Sequence, residues 1–477
     1  MVAIDVLPDD VLLAIFVKFQ DLTLTEGHWD YKREIESWQS LVHVCRRWRG
    51  LVLGSPRHLN LQLFWEPSRT AMKSLDVWPA LPLIIQGSVY ETSVDDIIAV
   101  LEHSDRILKI KLWFHTSSRI EQLWKAMEVP FPDLELLLLS FTRLPYRPDL
   151  PDSFFGGSVP RLRYLSLDSI PFLGLPKLLL SVTHLTFLFL EIPHSGYISP
   201  EAMATSLSML TRLKMLYLSF QYPQTRPDQE IRRPPPPTRS ILPTLTYFRF
   251  KGVHEYLEEL VAQIDAPRLD ELSITFFNDI DFETPELNQF ISRTPIFGAY
   301  DESYIIFRGC DDEVKLQFHP RPSGLQDRMV DVTISCQPSD WQLSSLAQIC
   351  TLSLRLLLTM ENLNIYEDPH YSPDWKDDIE NTEWSDLLLP FTAVKKLYLS
   401  WQFAPRIAPA LQELTGVRTT EVLPVLQIVF LEGFQPSEPV QEGIAWFISA
   451  RQLTNRPIAV SFRNRPDPGP ELYEVVD

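Results

Sequence analysis

The chain has 477 residues, 45% of them hydrophobic and 22% charged, with a net charge of −19. A globular protein with a large core is expected, and the length suggests roughly three domains. The acidic balance argues against a general phosphate-binding surface, because nucleic-acid binders carry a basic face. The chain opens on two short amphipathic segments. Pro8 suits the first position of a helix, and Asp9 and Asp10 suit its first turn, where the helix dipole favours negative charge. Leu12, Ile15, Phe16 and Phe19 follow at spacings of three and four, giving one apolar face. Leu41, Val44, Cys45, Trp48, Leu51 and Val52 repeat the rhythm in a second helix. Two such helices need each other, the rest of the chain, or a partner to bury their apolar sides.

The ordered set Leu7-Pro8, Leu12, Ile15-Phe16, Val44-Cys45-Arg46 and Trp48-Arg49 resembles the F-box, a helical motif that docks an adaptor subunit of cullin-RING ubiquitin ligases. The resemblance covers residues 1–60. It departs from the family in an inserted loop at about 23–37 between the two helices, and an exposed polar insertion costs little loop entropy. The resemblance implies that Leu7, Pro8, Leu12, Ile15 and Phe16 contact the adaptor, with Val44, Cys45 and Trp48 joining them or holding the helices together.

From residue 61 to residue 477 one pattern recurs: often a proline, then Leu-x-x-Leu-x-Leu. It reads Leu134, Leu137, Leu139; then Leu162, Leu165, Leu167; then Leu185, Leu188, Leu190. Further copies are Leu213, Leu216, Leu218; Leu245, Phe248, Phe250; Leu269, Leu272, Ile274; Val394, Leu397, Leu399; and Leu426, Val429, Leu431. Weaker copies stand at Leu83-Ile85, Ile110-Leu112, Val332-Ile334, Leu363-Ile365 and Val460-Phe462. Successive copies lie about 23 to 34 residues apart, near the period of leucine-rich repeats. The last two apolar residues of each copy alternate, so they share one face of a short strand. Helix signals fall between the copies: the face Ile120, Leu123, Trp124, Met127, the starts Ser199-Pro200 and Thr284-Pro285, and the face Val253, Leu257, Leu260, Val261, Ile264. Strand then helix at a repeating period builds an α/β solenoid with a parallel inner sheet. This resembles the irregular leucine-rich repeats found behind many F-boxes, with Asp168, Ser219 and Ser400 near the place where a ladder asparagine usually stands.

Three insertions interrupt the rhythm. Residues 221–240 hold four consecutive prolines, Pro234 to Pro237, a polyproline II segment serving as a ligand or as a spacer. Residues 296–330 pair Tyr304-Ile305-Ile306-Phe307 with Val314-Lys315-Leu316-Gln317-Phe318, the pattern of a β-hairpin. Residues 367–386 form an acidic stretch around Trp375 and Trp384, either a recruiting loop or a solvated one.

Signals for chemistry are sparse. The four cysteines, Cys45, Cys310, Cys336 and Cys350, form no Cys-x-x-Cys pair, and reduced thiols are expected. No zinc-protease, nucleophile-elbow or phosphate-loop motif occurs, so neither an enzyme nor a cofactor or metal site is expected. His254-Glu255 with Glu258-Glu259 reads as a solvated helix face or as metal ligands. Asp5, Asp9 and Asp10 stand where a signal peptide would be positive, and no apolar run reaches the roughly 18 residues of a membrane span. The expected place is intracellular, cytoplasmic or nuclear, without nucleic-acid or membrane partners.

Residues beside the buried strand positions face outward on the concave side. They include Lys111, Trp113, Tyr164, Phe187, Phe189, Tyr217, Tyr247, Arg249, Tyr398, Trp401 and Phe430. Aromatics with occasional arginine are what protein interfaces use. Trp113, Phe189, Tyr217, Tyr247, Arg249 and Tyr398 are the candidate target-binding residues; the alternative is that the rings stack on one another or lie under the C-terminal tail. The function expected is the substrate-recognition subunit of an SCF-type ubiquitin ligase, holding an adaptor by the F-box and an unknown target protein by the repeats. Alternatives are an F-box scaffold without ubiquitination, and a repeat-based receptor for a small ligand.

Overall fold

Strands form where burial alternates with a period of two, and the register is fixed by which alternate residues must leave water. The computed structural model describes residues 7–24, 37–67, 80–141, 147–223, 238–277, 284–308, 313–320, 329–335, 339–353, 355–367, 381–400, 403–414, 418–432 and 438–463. Most of the insertions expected at 23–37, 221–240 and 367–386 lies outside these residues, as do Trp401, Cys310 and Cys336. The chain divides into two compact units, residues 1–198 and 199–477. One bond ties the N-terminal helices to the segment just before the first strand, Trp38 Nε1 donating to the Gln62 carbonyl at 3.0 Å.

The first unit begins with helices Asp9–Leu24, Trp38–Val42 and Arg46–Gly54. Its strands are β1 (Leu63–Trp65), β2 (Leu83–Val89), β3 (Ile107–Phe114), β4 (Leu136–Phe141), β5 (Tyr164–Asp168) and β6 (Phe187–Ile192). They pair in chain order, each parallel to the next. Leu137, Leu165 and Leu188 form one buried row and Leu139, Leu167 and Leu190 the next. The leading leucine of each copy, Leu134, Leu162 and Leu185, is buried beneath the entry to its strand. Helix Ile120–Ala126 turns Ile120, Leu123 and Trp124 inward, with Met127 buried just beyond it.

In place of an asparagine ladder, backbone amides join the repeats. Arg163 N–H donates to Glu135 O, and Thr186 N–H to Arg163 O, each at 2.8 Å. The Thr186 hydroxyl adds a bond to Arg163 O at 3.0 Å.

The second unit contains β7 (Met215–Phe220), β8 (Ser240–Ile241), β9 (Tyr247–Gly252), β10 (Ile264–Asp265), β11 (Glu271–Phe277), β12 (Tyr300–Arg308), β13 (Glu313–Pro320) and β14 (Met329–Ser335). β15 (Asn362–Glu367), β16 (Lys396–Ser400), β17 (Ile428–Glu432) and β18 (Ala459–Arg463) complete it. Its main sheet runs β7-β9-β11-β14-β13-β12-β15-β16-β17-β18. All neighbours are parallel except β13, which is antiparallel to both β12 and β14. The hairpin expected at 296–330 therefore gains a third strand, and the three enter the sheet between β11 and β15. β8 and β10 form a separate small parallel pair.

Among the helices, Pro200–Ser208 starts as its sequence requires, Ser199 Oγ accepting from Ala202 N at 3.3 Å. Helix Pro285–Arg293 starts differently. Thr284 is buried, and its side chain makes no cap bond. Glu258, on helix His254–Val261, accepts the Glu286 and Leu287 amides, both at 2.8 Å. A side chain from the preceding repeat thus supplies the cap.

Each unit is accordingly α/β with a mostly parallel sheet, consistent with a leucine-rich-repeat-like solenoid. Among the described residues, no helix is long and apolar enough to cross a membrane.

Candidate functional site

In the N-terminal helices, apolar residues divide between packing and exposure. Leu12 and Phe16 are completely buried, and the Phe16 ring meets Trp48 with centroids 4.7 Å apart. Leu12 and Phe16, both among the residues expected to contact an adaptor, thus lie on the inner side of the first helix, with Phe16 packed against Trp48. The exposed set is Pro8, Val11, Ile15, Phe19 and Val44. Val11, Ile15 and Phe19 recur every four residues, so they form a stripe beside the buried one. Leu7, Cys45 and Trp48 are half-buried.

Arg47, at the variable place between Cys45-Arg46 and Trp48, secures the start of the first helix. Its guanidinium donates to the Leu7 carbonyl at 2.5 Å and to Asp9 Oδ1 at 2.6 Å. Cys45 Sγ accepts the Trp48 amide at 3.4 Å, so this thiol caps the third helix.

On the sheets, register assigns each candidate its neighbours. In the first unit Phe189 lies in the row Lys111, Leu138, Ser166, Phe189, and Trp113 lies in the row Trp113, Ser140, Asp168, Glu191. Tyr164 and Phe187 share a third row and stack at 4.0 Å. A cavity behind β5 and β6, lined by Leu167, Phe172, Leu190 and Ile198, measures about 10 Å³, room for one water.

In the second unit a single row reads Tyr217, Arg249, Ser273, Asp331, Gln317, Tyr304, Asn364, Tyr398, Phe430 and Ser461. Tyr217 and Tyr398 therefore belong to one row but lie seven strand spacings apart, a path of about 34 Å along the sheet. They are not brought together. Tyr217 stacks on Tyr247 at 4.8 Å, and Tyr398 on Phe430 at 4.5 Å. The stacking alternative is thus realised at both ends, with these rings still half-exposed.

The middle of the row is polar, which the sequence reading missed. Asp331 is almost wholly buried, accepts from the Ser273 hydroxyl at 3.1 Å and faces Lys315 Nζ at 3.7 Å. Burial pushes its carboxyl above the usual range, and Lys315 and Ser273 oppose that. Burial also pushes the Tyr247 phenol up, against the nearby Arg249 charge, and holds the His319 imidazole down. The signal for these residues was the alternation itself, in Leu272-Ser273-Ile274-Thr275 and Lys315-Leu316-Gln317.

Glu258 is neither a solvated nor a metal-facing group, since both its oxygens serve the helix start described above. Among the described residues no cluster of three or more His, Cys, Asp or Glu side chains is placed to hold a metal ion.

No protein family and no curated protein matches the chain. Among solved structures, a chain of the yeast Rad7 and Elc1 complex is similar at 11% identity, covering 89% of this chain and 88% of that one, with a TM-score of 0.23. The leucine-rich repeat-containing protein LegL7 from Legionella pneumophila is similar at 10% identity, covering 73% of this chain and 93% of its own, also with a TM-score of 0.23. Likeness at that score carries no argument, and the fold rests on the strands and registers described above.

Proposed function

We propose that the chain is the substrate-recognition subunit of an SCF-type ubiquitin ligase. The residue pattern of the F-box supports this reading, and one observation carries it. The helical start of the chain is fixed internally by Leu12, Phe16 and Trp48, yet leaves Pro8, Val11, Ile15, Phe19 and Val44 at the surface. An exposed apolar stripe on a helix fixed from behind is a docking face for another protein. In this reading the adaptor takes that stripe and the sheet faces take a target protein. The chain performs no chemistry; it raises the effective concentration of the target near the conjugating enzyme.

The test is capture of the adaptor and a cullin by the whole chain. Ile15→Asp with Val44→Asp should abolish both captures and leave the thermal melt unchanged. Undiminished capture by this variant would refute the proposal. Adaptor capture without the cullin would favour a scaffold outside ubiquitination.

A further inference from the structure

Arg249 and Lys251 on β9 are both exposed, and neither forms an ion pair with another described residue. Aromatic rings hold both in place. The Arg249 guanidinium carbon lies 5.7 Å from the Tyr217 ring centre and 5.9 Å from that of Tyr247. Lys251 Nζ lies 6.0 Å from the centre of the Phe277 ring. Cations resting on ring faces at these distances are attracted to them and lose mobility.

The surrounding charges are few. Asp331, two strands away, accepts from Ser273 and faces Lys315 at 3.7 Å, and the Arg249 charge reaches it as well. Glu271 sits one row away, across from Tyr247 on the neighbouring strand. Hydroxyls continue the surface, since Ser273 lies next to Arg249 and Thr275 next to Lys251 in register.

We infer that this face binds an extended acidic segment of the target, with carboxylates at alternate positions taken by Arg249 and Lys251. The inference rests on the target-recruiting reading above and names the chemistry of the target. Three features carry it. The first is charge: paired, ring-held cations complement carboxylates, and a fork-shaped guanidinium donates to both oxygens of one. The second is spacing. Arg249 and Lys251 are two residues apart on one strand face, about 6.7 Å, the same interval at which an extended peptide presents alternate side chains. The third is the rest of the molecule. At a net charge of −19 the chain repels a long polyanion, so a short acidic segment fits this local patch better than a nucleic-acid backbone.

The experiment uses the full chain and fluorescence anisotropy. The probe is a short fluorescein-labelled peptide of alternating Glu and Ser, compared with its Gln–Ser counterpart and with a labelled oligothymidine. Saturable binding of the Glu peptide is expected. The Gln peptide should bind at least about tenfold more weakly, and Arg249→Gln and Lys251→Gln should each weaken the Glu peptide about tenfold, the scale of one lost charge-assisted contact. Both side chains are exposed, so the melts of these variants should match the parent.

Absence of saturable binding, equal binding of the Gln peptide, or unchanged binding in both variants would overturn the inference. Tighter binding of oligothymidine, lost in the same variants, would also overturn it and assign the patch to nucleic acid. Adaptor capture is read on the same samples. A chain that captures the adaptor but not the peptide sinks the acidic-segment inference alone; one that binds the peptide but captures no adaptor sinks the ligase reading alone.

Discussion

Glu258→Ala should destabilise the second unit far more at pH 5 than at pH 8. Glu258 is buried, and both its oxygens accept backbone amides at the start of helix Pro285–Arg293. Burial pushes its carboxyl up to about 7, with the Glu286 charge adding to the rise and the two amide bonds opposing it. The ordinary value for a glutamate is near 4.5. Between those two values the folded chain holds a proton that the unfolded chain has released. Stability contributed by Glu258 is therefore greatest at low pH, falls as pH rises through that window, and is level above it. Between pH 5 and pH 8 the fall amounts to about 2 to 3 kcal/mol. The Ala variant cannot show it, so the cost of the substitution should shrink by that amount across the window. At either pH some cost remains, because two amide donors lose their partner at about 1 to 3 kcal/mol each. Urea unfolding of parent and variant at both pH values measures the difference directly. An equal cost at the two pH values, or a larger one at pH 8, would refute the reasoning.

Leu165→Ala and Leu216→Ala should each cost about 2 to 5 kcal/mol in denaturant melts, because each empties a fully buried position. Tyr164→Ala and Tyr217→Ala should cost about 1 kcal/mol, the scale of a lost stacking partner at a half-exposed site; equal losses for Leu and Tyr would put the register in error. Phe16→Ala should lower the melting temperature of the first unit, and adaptor capture should fall only in step with that unfolding. Arg451→Lys should destabilise by about 2 kcal/mol, because the buried guanidinium donates to both the Thr419 and Leu423 carbonyls and a lysine cannot span them.

The repeat rows were legible because burial leaves little choice. Leu165 and Leu167 alternate, and a one-residue slip would turn Tyr164 and Ser166 onto the face the leucines occupy. The start of helix Pro200–Ser208 was legible for a local reason, a serine cap followed by proline. Three things were not. The cap at Pro285 comes from Glu258 in the preceding repeat, 28 residues before Glu286, so Thr284 offered a misleading local signal. The N-terminal motif names apolar residues without saying which face inward; Leu12 and Ile15 look alike in sequence, yet one is buried and the other is exposed. The polar centre of the second sheet was hidden because Asp331 and Arg249 lie far apart along the chain, and only strand order makes them near neighbours.

Strand order is also what makes a sheet face differ from a list of repeats. β13 runs against its neighbours, yet alternation of side chains does not depend on direction. The buried row Leu272, Val330, Phe318, Ser303, Leu363 therefore crosses the reversed strand without a break, as does Ile274, Val332, Leu316, Ile305, Ile365. The same rule governs the opposite face. With its core rows intact, the three-strand insertion is free to supply different outward residues, and it places Lys315, Gln317 and Asp331 between the Tyr217–Arg249 end and the Tyr398–Phe430 end. An ordinary parallel repeat at that place would bring its own strand and the next. The insertion instead sets a buried acid with its lysine beside the ring-held cations of β9, separating the two aromatic pairs. The outward aromatic residues of this sheet are thereby divided into two stacked pairs, Tyr217–Tyr247 beside the cations of β9 and Tyr398–Phe430 beyond the insertion.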